Sequence, residues 1–180
     1  AASDVYKRQA INNGNISGLD SVGGILGYYY CDDDMLLENT NNSGTITGRT
    51  AVGGIVGMGG GVSMSGPPSA GIGCVSVSRA ENSGAVSGSG NSVGGIIGVG
   101  TSSKSIDNVL NTGTVQGRDQ VGGIIGNSVE GIVENALNLG QVIATDGNAQ
   151  YCGGIVGWGP GAIVSDKAVY ATTDKDGNTY

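Results

Sequence analysis

The chain has no histidine and no phenylalanine, and only three cysteines, three prolines and one tryptophan in 180 residues. Without histidine, Ser-His-Asp and Cys-His nucleophilic centres, the common zinc sites and H-E-x-x-H proteolysis are excluded from this segment. The cysteines, Cys31, Cys74 and Cys152, are odd in number and irregularly spaced, so they form neither a disulfide framework nor a zinc cluster. A bridge between Cys31 and Cys74 is disfavoured. Basic residues are few: 8 Lys and Arg, scattered singly apart from the adjacent Lys7 and Arg8, against 15 Asp and Glu, for a formal charge of -7. Nucleic-acid binding needs basic patches that displace counterions, so it is not expected. No apolar run approaches the ~20 residues that span a bilayer, so this segment is not expected to insert into a membrane. No helical period is sustained anywhere. No signal peptide is recognisable at Ala1, so a secreted parent is expected to begin further upstream.

What the chain does have is 37 glycines, and they are periodic. The pattern N-x-G-x-[I/V]-x-[G/A], a short gap and [V/C]-G-G-I-[I/L/V]-G occurs from Asn12 to Gly27, Asn42 to Gly57, Asn82 to Gly98, Asn111 to Gly126 and Asn138 to Gly157. The Asn-to-Asn spacings are 30, 40, 29 and 27 residues. Self-similarity at this period marks a stacked repeat array. A second pattern, [I/V/L]-x-[N/R], stands three residues before four of the motif asparagines, as at Leu37-Glu38-Asn39 and Val77-Ser78-Arg79.

Each repeat thus offers three short β-branched segments bounded by Gly or Asn: one before the Asn, N-x-G-x-V itself, and V-G-G-I-V. Stacked coil on coil, they predict an all-β protein: a right-handed parallel β-helix (β-solenoid) of about five coils of three short strands. Strand parity puts Asn, Gly and Val of N-x-G-x-V on one, inward face. The residues between them are mostly polar and face water. The asparagines Asn12, Asn42, Asn82, Asn111 and Asn138 then stack into an amide ladder. A kink at each Gly-Gly, drawing on glycine's access to positive φ, turns the flanking Val and Ile both inward. Cys152 takes the place of that Val and reads as a small buried apolar residue.

The ends depart from the pattern. Residues 1–9 read as foreign to the array or disordered, since Asp4 to Gln9 looks like translated sequencing-adapter sequence. Residues 10–170 form the solenoid, and residues 171–180 begin a truncated continuation. Candidate chemistry is sparse. Asp32-Asp33-Asp34 reads as a solvated acidic loop, and Asp174 to Asn178 as a turn, because its Gly falls too early for a calcium loop. Asp20 and Asp119 occupy equivalent places three coils apart, roughly 14 Å on strand spacing, too far for a catalytic carboxylate pair. Tyr28, Tyr29, Tyr30 and Trp158, with Met58, follow the terminal glycines of coils one, two and five. They are the candidate ligand contacts, or else shields for the solenoid ends.

The motif resembles the GLUG repeat, clearest at Asn111-Thr112-Gly113-Thr114-Val115-Gln116-Gly117 followed by Val121-Gly122-Gly123-Ile124-Ile125-Gly126. The resemblance covers about residues 10–160. GLUG repeats occur in large secreted or wall-anchored bacterial proteins, among them adhesin-like proteins and IgA peptidases whose zinc-protease chemistry lies in another domain. The resemblance implies an extracellular or cell-surface repeat region, without cofactor, metal or catalysis in this segment. The expected role is a stiff spacer, stalk or presentation scaffold whose partners are neighbouring domains of the same chain. The alternative is an adhesin module that binds a host glycan or protein through its loop face. A polysaccharide lyase or hydrolase fragment ranks third.

Overall fold

The computed structural model describes residues 6–7, 9–30, 34–60, 75–100, 105–128, 131–160, 162–164 and 169–170. All regular structure among them is β-strand, and the strands pair in parallel. The chain is a parallel β-solenoid. Each coil contributes one strand to each of four sheets, which we number as faces in chain order. In coil two the four strands are Met35–Asn42, Ile46–Gly48, Thr50–Gly53 and Val56–Gly59. The second, third and fourth faces each stack five strands, one per motif copy. The first face also takes in Tyr6–Lys7, Ala162–Val164 and Val169–Tyr170.

Four strands per coil is a correction to the expected three. The V-G-G-I-V segment does not stay in one sheet. It breaks at its second glycine and its isoleucine, as at Gly54-Ile55, and resumes as a strand of the fourth face. The valine before the break and the isoleucine at it both point inward, as expected, but into different clusters. Val22, Val52, Val93 and Val121 pack with Ile46, Val86 and Val115 between the second and third faces. Ile55, Ile96 and Ile124 pack with Leu37, Val77, Ile106 and Val133 between the fourth and first. Fully burying each such side chain contributes about 1.5–3 kcal/mol.

Two lines of contact divide these clusters. From one corner comes the amide ladder. Asn12 Nδ2 donates to Asn42 Oδ1 at 2.7 Å, Asn42 to Asn82 at 2.7 Å, Asn82 to Asn111 at 2.8 Å and Asn111 to Asn138 at 2.8 Å. Each of these asparagines also donates to the carbonyl two residues on, as Asn82 does to Gly84 O at 2.9 Å. From the opposite corner comes the second glycine of each Gly-Gly pair. A Cβ on Gly54 would stand 2.5 Å from Asn82 Cγ, and one on Gly95 2.5 Å from Asn111 Cγ. The coil is therefore pinched at the waist, and only glycine fits opposite the ladder.

The role expected of Gly-Gly thus changes. None of these pairs adopts positive φ. Left-handed backbone occurs instead at Ser21, Ala51, Ser92 and Gln120, just before the motif valine, and at Asn39, Arg79, Asn108 and Asn135 in the first face. Each of the latter resets strand parity, so that residues before and after it, such as Leu37 and Thr40, both face inward. Asparagine bears this conformation more readily than other non-glycine residues.

Candidate functional site

The aromatic candidates follow from the fourth-face register. Tyr28, Met58, Val99, Asn127 and Trp158 form one column, so Tyr28 and Trp158 lie four coils apart, about 19 Å on strand spacing. Tyr28 and Tyr30 are exposed, 47% and 57%, and stack with ring centroids 6.4 Å apart. Tyr29, of opposite parity, is half-buried and packs on the core. At the far end Trp158 is half-buried and meets the exposed Tyr151 edge-on at 6.2 Å. Three of the four candidates therefore fall in two separate aromatic pairs, Tyr28 with Tyr30 and Trp158 with Tyr151, and the fourth, Tyr29, lies behind the first pair. Met58 and Val99 between them are buried against Ala51. Tyr151 was not among the sequence candidates, because it stands in the irregular gap of coil five.

The carboxylates are engaged in holding coils together. Asp20 accepts hydrogen bonds from Arg49 Nε at 3.1 Å and Thr50 Oγ1 at 2.5 Å, and pairs with Arg49 Nη2 at 2.5 Å, all from the next coil. Asp146 receives Arg118 Nε at 3.1 Å across the equivalent step. Asp119 Oδ1 accepts the backbone N–H of Gln120, Gln150 and Tyr151, so it fixes the long gap of coil five against coil four. In the first face Arg79 bonds Asn39 and Glu38 of the preceding coil. Among the described residues no three His, Cys, Asp or Glu side chains converge on a metal position. Asp32, Asp33 and the Asp174 turn lie outside the described residues, as do Cys31 and Cys74.

Hydrogen bonding to Arg49 and Thr50 holds the Asp20 carboxyl at about 2, below its ordinary value of 3.8. A depressed folded-state value stabilises the fold above the unfolded-state range, and that contribution is lost as pH falls from about 4 towards 2. Replacing Arg49 with alanine should return the Asp20 titration towards the ordinary carboxylate range. Carbon-detected NMR of the side-chain carboxyl between pH 1.5 and 6 checks this. An unchanged midpoint would remove Arg49 as the cause.

Cys152 departs from its expected burial. It occupies the valine register opposite Val121, yet it is exposed, with a free thiol. The reason is position. The third-face stack ends there among the described residues, so no further described strand covers it. Partial burial still pushes the thiol's pKa upward.

The outer surfaces divide the chemistry unequally. The described charges lie on the first face, on Asp34 just before it, or at the turn into the third face with the residues that follow it. The second face and its entry corner carry none, across residues 13–17, 43–48, 83–88, 112–117 and 139–144. Among the described residues no helix is long and apolar enough to cross a membrane.

No protein-family model matches the chain, and no curated protein matches it significantly. Among solved structures it is similar to the crystal structure of a candidate immunoglobulin A1 protease from Bacteroides ovatus, with a TM-score of 0.61 and 21% sequence identity. The match covers 93% of this chain and 53% of that one, so this chain spans about half the length of its structural relative. At that identity the likeness establishes the shared fold alone.

Proposed function

We propose that this chain is a GLUG-type structural repeat segment of a bacterial extracellular protein, without catalysis of its own. It acts as a stiff spacer that presents neighbouring domains and its own loops. The observation that carries this reading is the unbroken register. Three five-stranded parallel sheets and a five-member amide ladder run through the same coils without a hinge. Such a stack resists bending, because each coil pairs with its neighbours on all four described faces. The likeness to part of a longer chain described as a candidate IgA1 protease supports placing this segment beside other domains. In that arrangement any peptidase chemistry belongs to those domains.

Stiffness is directly measurable. Spin labels at Asn15→Cys and Gln141→Cys, with the three native cysteines changed to serine, sit in one outward column four coils apart. Their electron–electron distance distribution should be a single narrow peak, based on a Cβ separation of about 19 Å. A broad or multimodal distribution would defeat the spacer reading.

The stacked, exposed Tyr28–Tyr30 pair favours a second reading, an adhesin module contacting a host glycan or protein. That reading expects mucin or glycan binding that disappears in the Tyr28→Ala/Tyr30→Ala variant.

A further inference from the structure

We propose that the second face is a binding surface for an extended, uncharged, β-linked polysaccharide laid along the solenoid axis. The face presents two full outward columns. One runs through Asn15, Thr45, Ala85, Thr114 and Gln141, and the other through Ser17, Thr47, Ser87, Gln116 and Ile143. Register is kept through all five coils, so positions repeat at about 4.8 Å along the axis and about 7 Å across it, with a hydroxyl or amide at every one except Ala85 and Ile143. Thr45, Thr47, Thr114 and Gln116 are exposed, and their side chains make no hydrogen bond with another described residue. A hydroxyl or primary amide both donates and accepts, which is the chemistry that meets a sugar hydroxyl in either orientation.

Charge selects the ligand. A chain of net charge -7 repels acidic glycans, while this uncharged face imposes no desolvation penalty from an ionised group on a neutral ligand; the fourth face is uncharged too, but its column of Tyr28, Met58, Val99, Asn127 and Trp158 offers no repeated hydroxyl and amide groups. Periodicity selects it further. A β-linked pyranose chain is extended and advances by nearly one strand spacing per sugar, so successive sugars meet successive coils. Individually weak contacts then add along the stack. A coiled α-linked glucan does not keep that register. A second copy of this chain fits less well. The columns cover on the order of 300 Å², against roughly 800 Å² per partner in a stable protein pair.

The test is co-sedimentation of the full chain with microcrystalline cellulose and with chitin, compared with amylose and polygalacturonate. Binding to at least one of the two β-linked neutral polymers is expected, little changed between 50 and 500 mM salt. The Thr45→Lys/Thr114→Lys variant should bind at least tenfold more weakly, and Tyr28→Ala/Trp158→Ala should bind as the parent does. Circular dichroism confirms folding, and Thr47→Arg replaces the double variant if that one loses its β signal. Failure to bind either neutral polymer would overturn the proposal. So would preference for polygalacturonate or amylose, binding unaffected by the lysine variant, or loss in the aromatic variant. Each of these results leaves the spacer reading to its own distance measurement.

Discussion

Changing Gly84 to alanine is expected to cost about 3 kcal/mol or more, enough to unfold the central coils. The glycines of N-x-G form a column in which each lies over the carbonyl of the one before. A Cβ at Gly84 would fall inside the contact distance of Gly44 O and stand 2.7 Å from Gly44 C and 3.0 Å from Asn42 Nδ2. The first two neighbours are backbone held by strand pairing on both sides, so they cannot retreat without breaking the register of two coils. Gly147, in the gap of coil five, has nothing within 4 Å of its Cβ position. Gly147→Ala should therefore leave stability within about 0.5 kcal/mol. Urea denaturation of both variants followed by circular dichroism decides the matter. A Gly84→Ala protein as stable as Gly147→Ala would show that the column has slack the geometry denies.

Asn82→Ala is expected to cost about 3–5 kcal/mol. Asn82 is fully buried and accepts from Asn42 while donating to Asn111 Oδ1 and Gly84 O. Its removal leaves three buried polar groups unpaired, each costing about 1–3 kcal/mol. Asn12, at the partly exposed end of the ladder, offers the contrast. There water replaces part of what is lost, and Asn12→Ala should cost about 1 kcal/mol. Equal losses at the two positions, measured by thermal or urea unfolding, would mean the ladder acts through something other than buried pairing. Asn82→Asp should be no milder than alanine. A carboxylate cannot donate onward and would be a buried charge.

These two expectations rest on features of very different visibility in the sequence. The ladder was legible because in-register stacking brings equivalent residues together, and five asparagines hold one place in the motif. The inward Ile46, Val86 and Val115 were legible from strand parity. The fourth strand was not, because V-G-G-I-V reads equally well as one strand or as two strands joined at a corner. Nor were the left-handed positions all visible. Asn39, Asn108 and Asn135 recur at one offset and hint at a special conformation, but Arg79 occupies the same place, and Ser21, Ala51, Ser92 and Gln120 share no residue type. The aromatic candidates could be named but not placed. Only the register reveals that Met58, Val99 and Asn127 stand between Tyr28 and Trp158.

By itself the sequence determined the repeat, the parallel stacking, the inward ladder and the exclusion of histidine-based chemistry, because these depend on residue identity and period alone. The tertiary structure decided why the glycines are needed, which surfaces are uncharged, and how Asp20, Asp119 and Arg79 spend their polar groups between coils. Those outcomes depend on distances across the coil and between neighbouring coils. Such distances are set when four faces close around two apolar clusters, and no local stretch of chain encodes them.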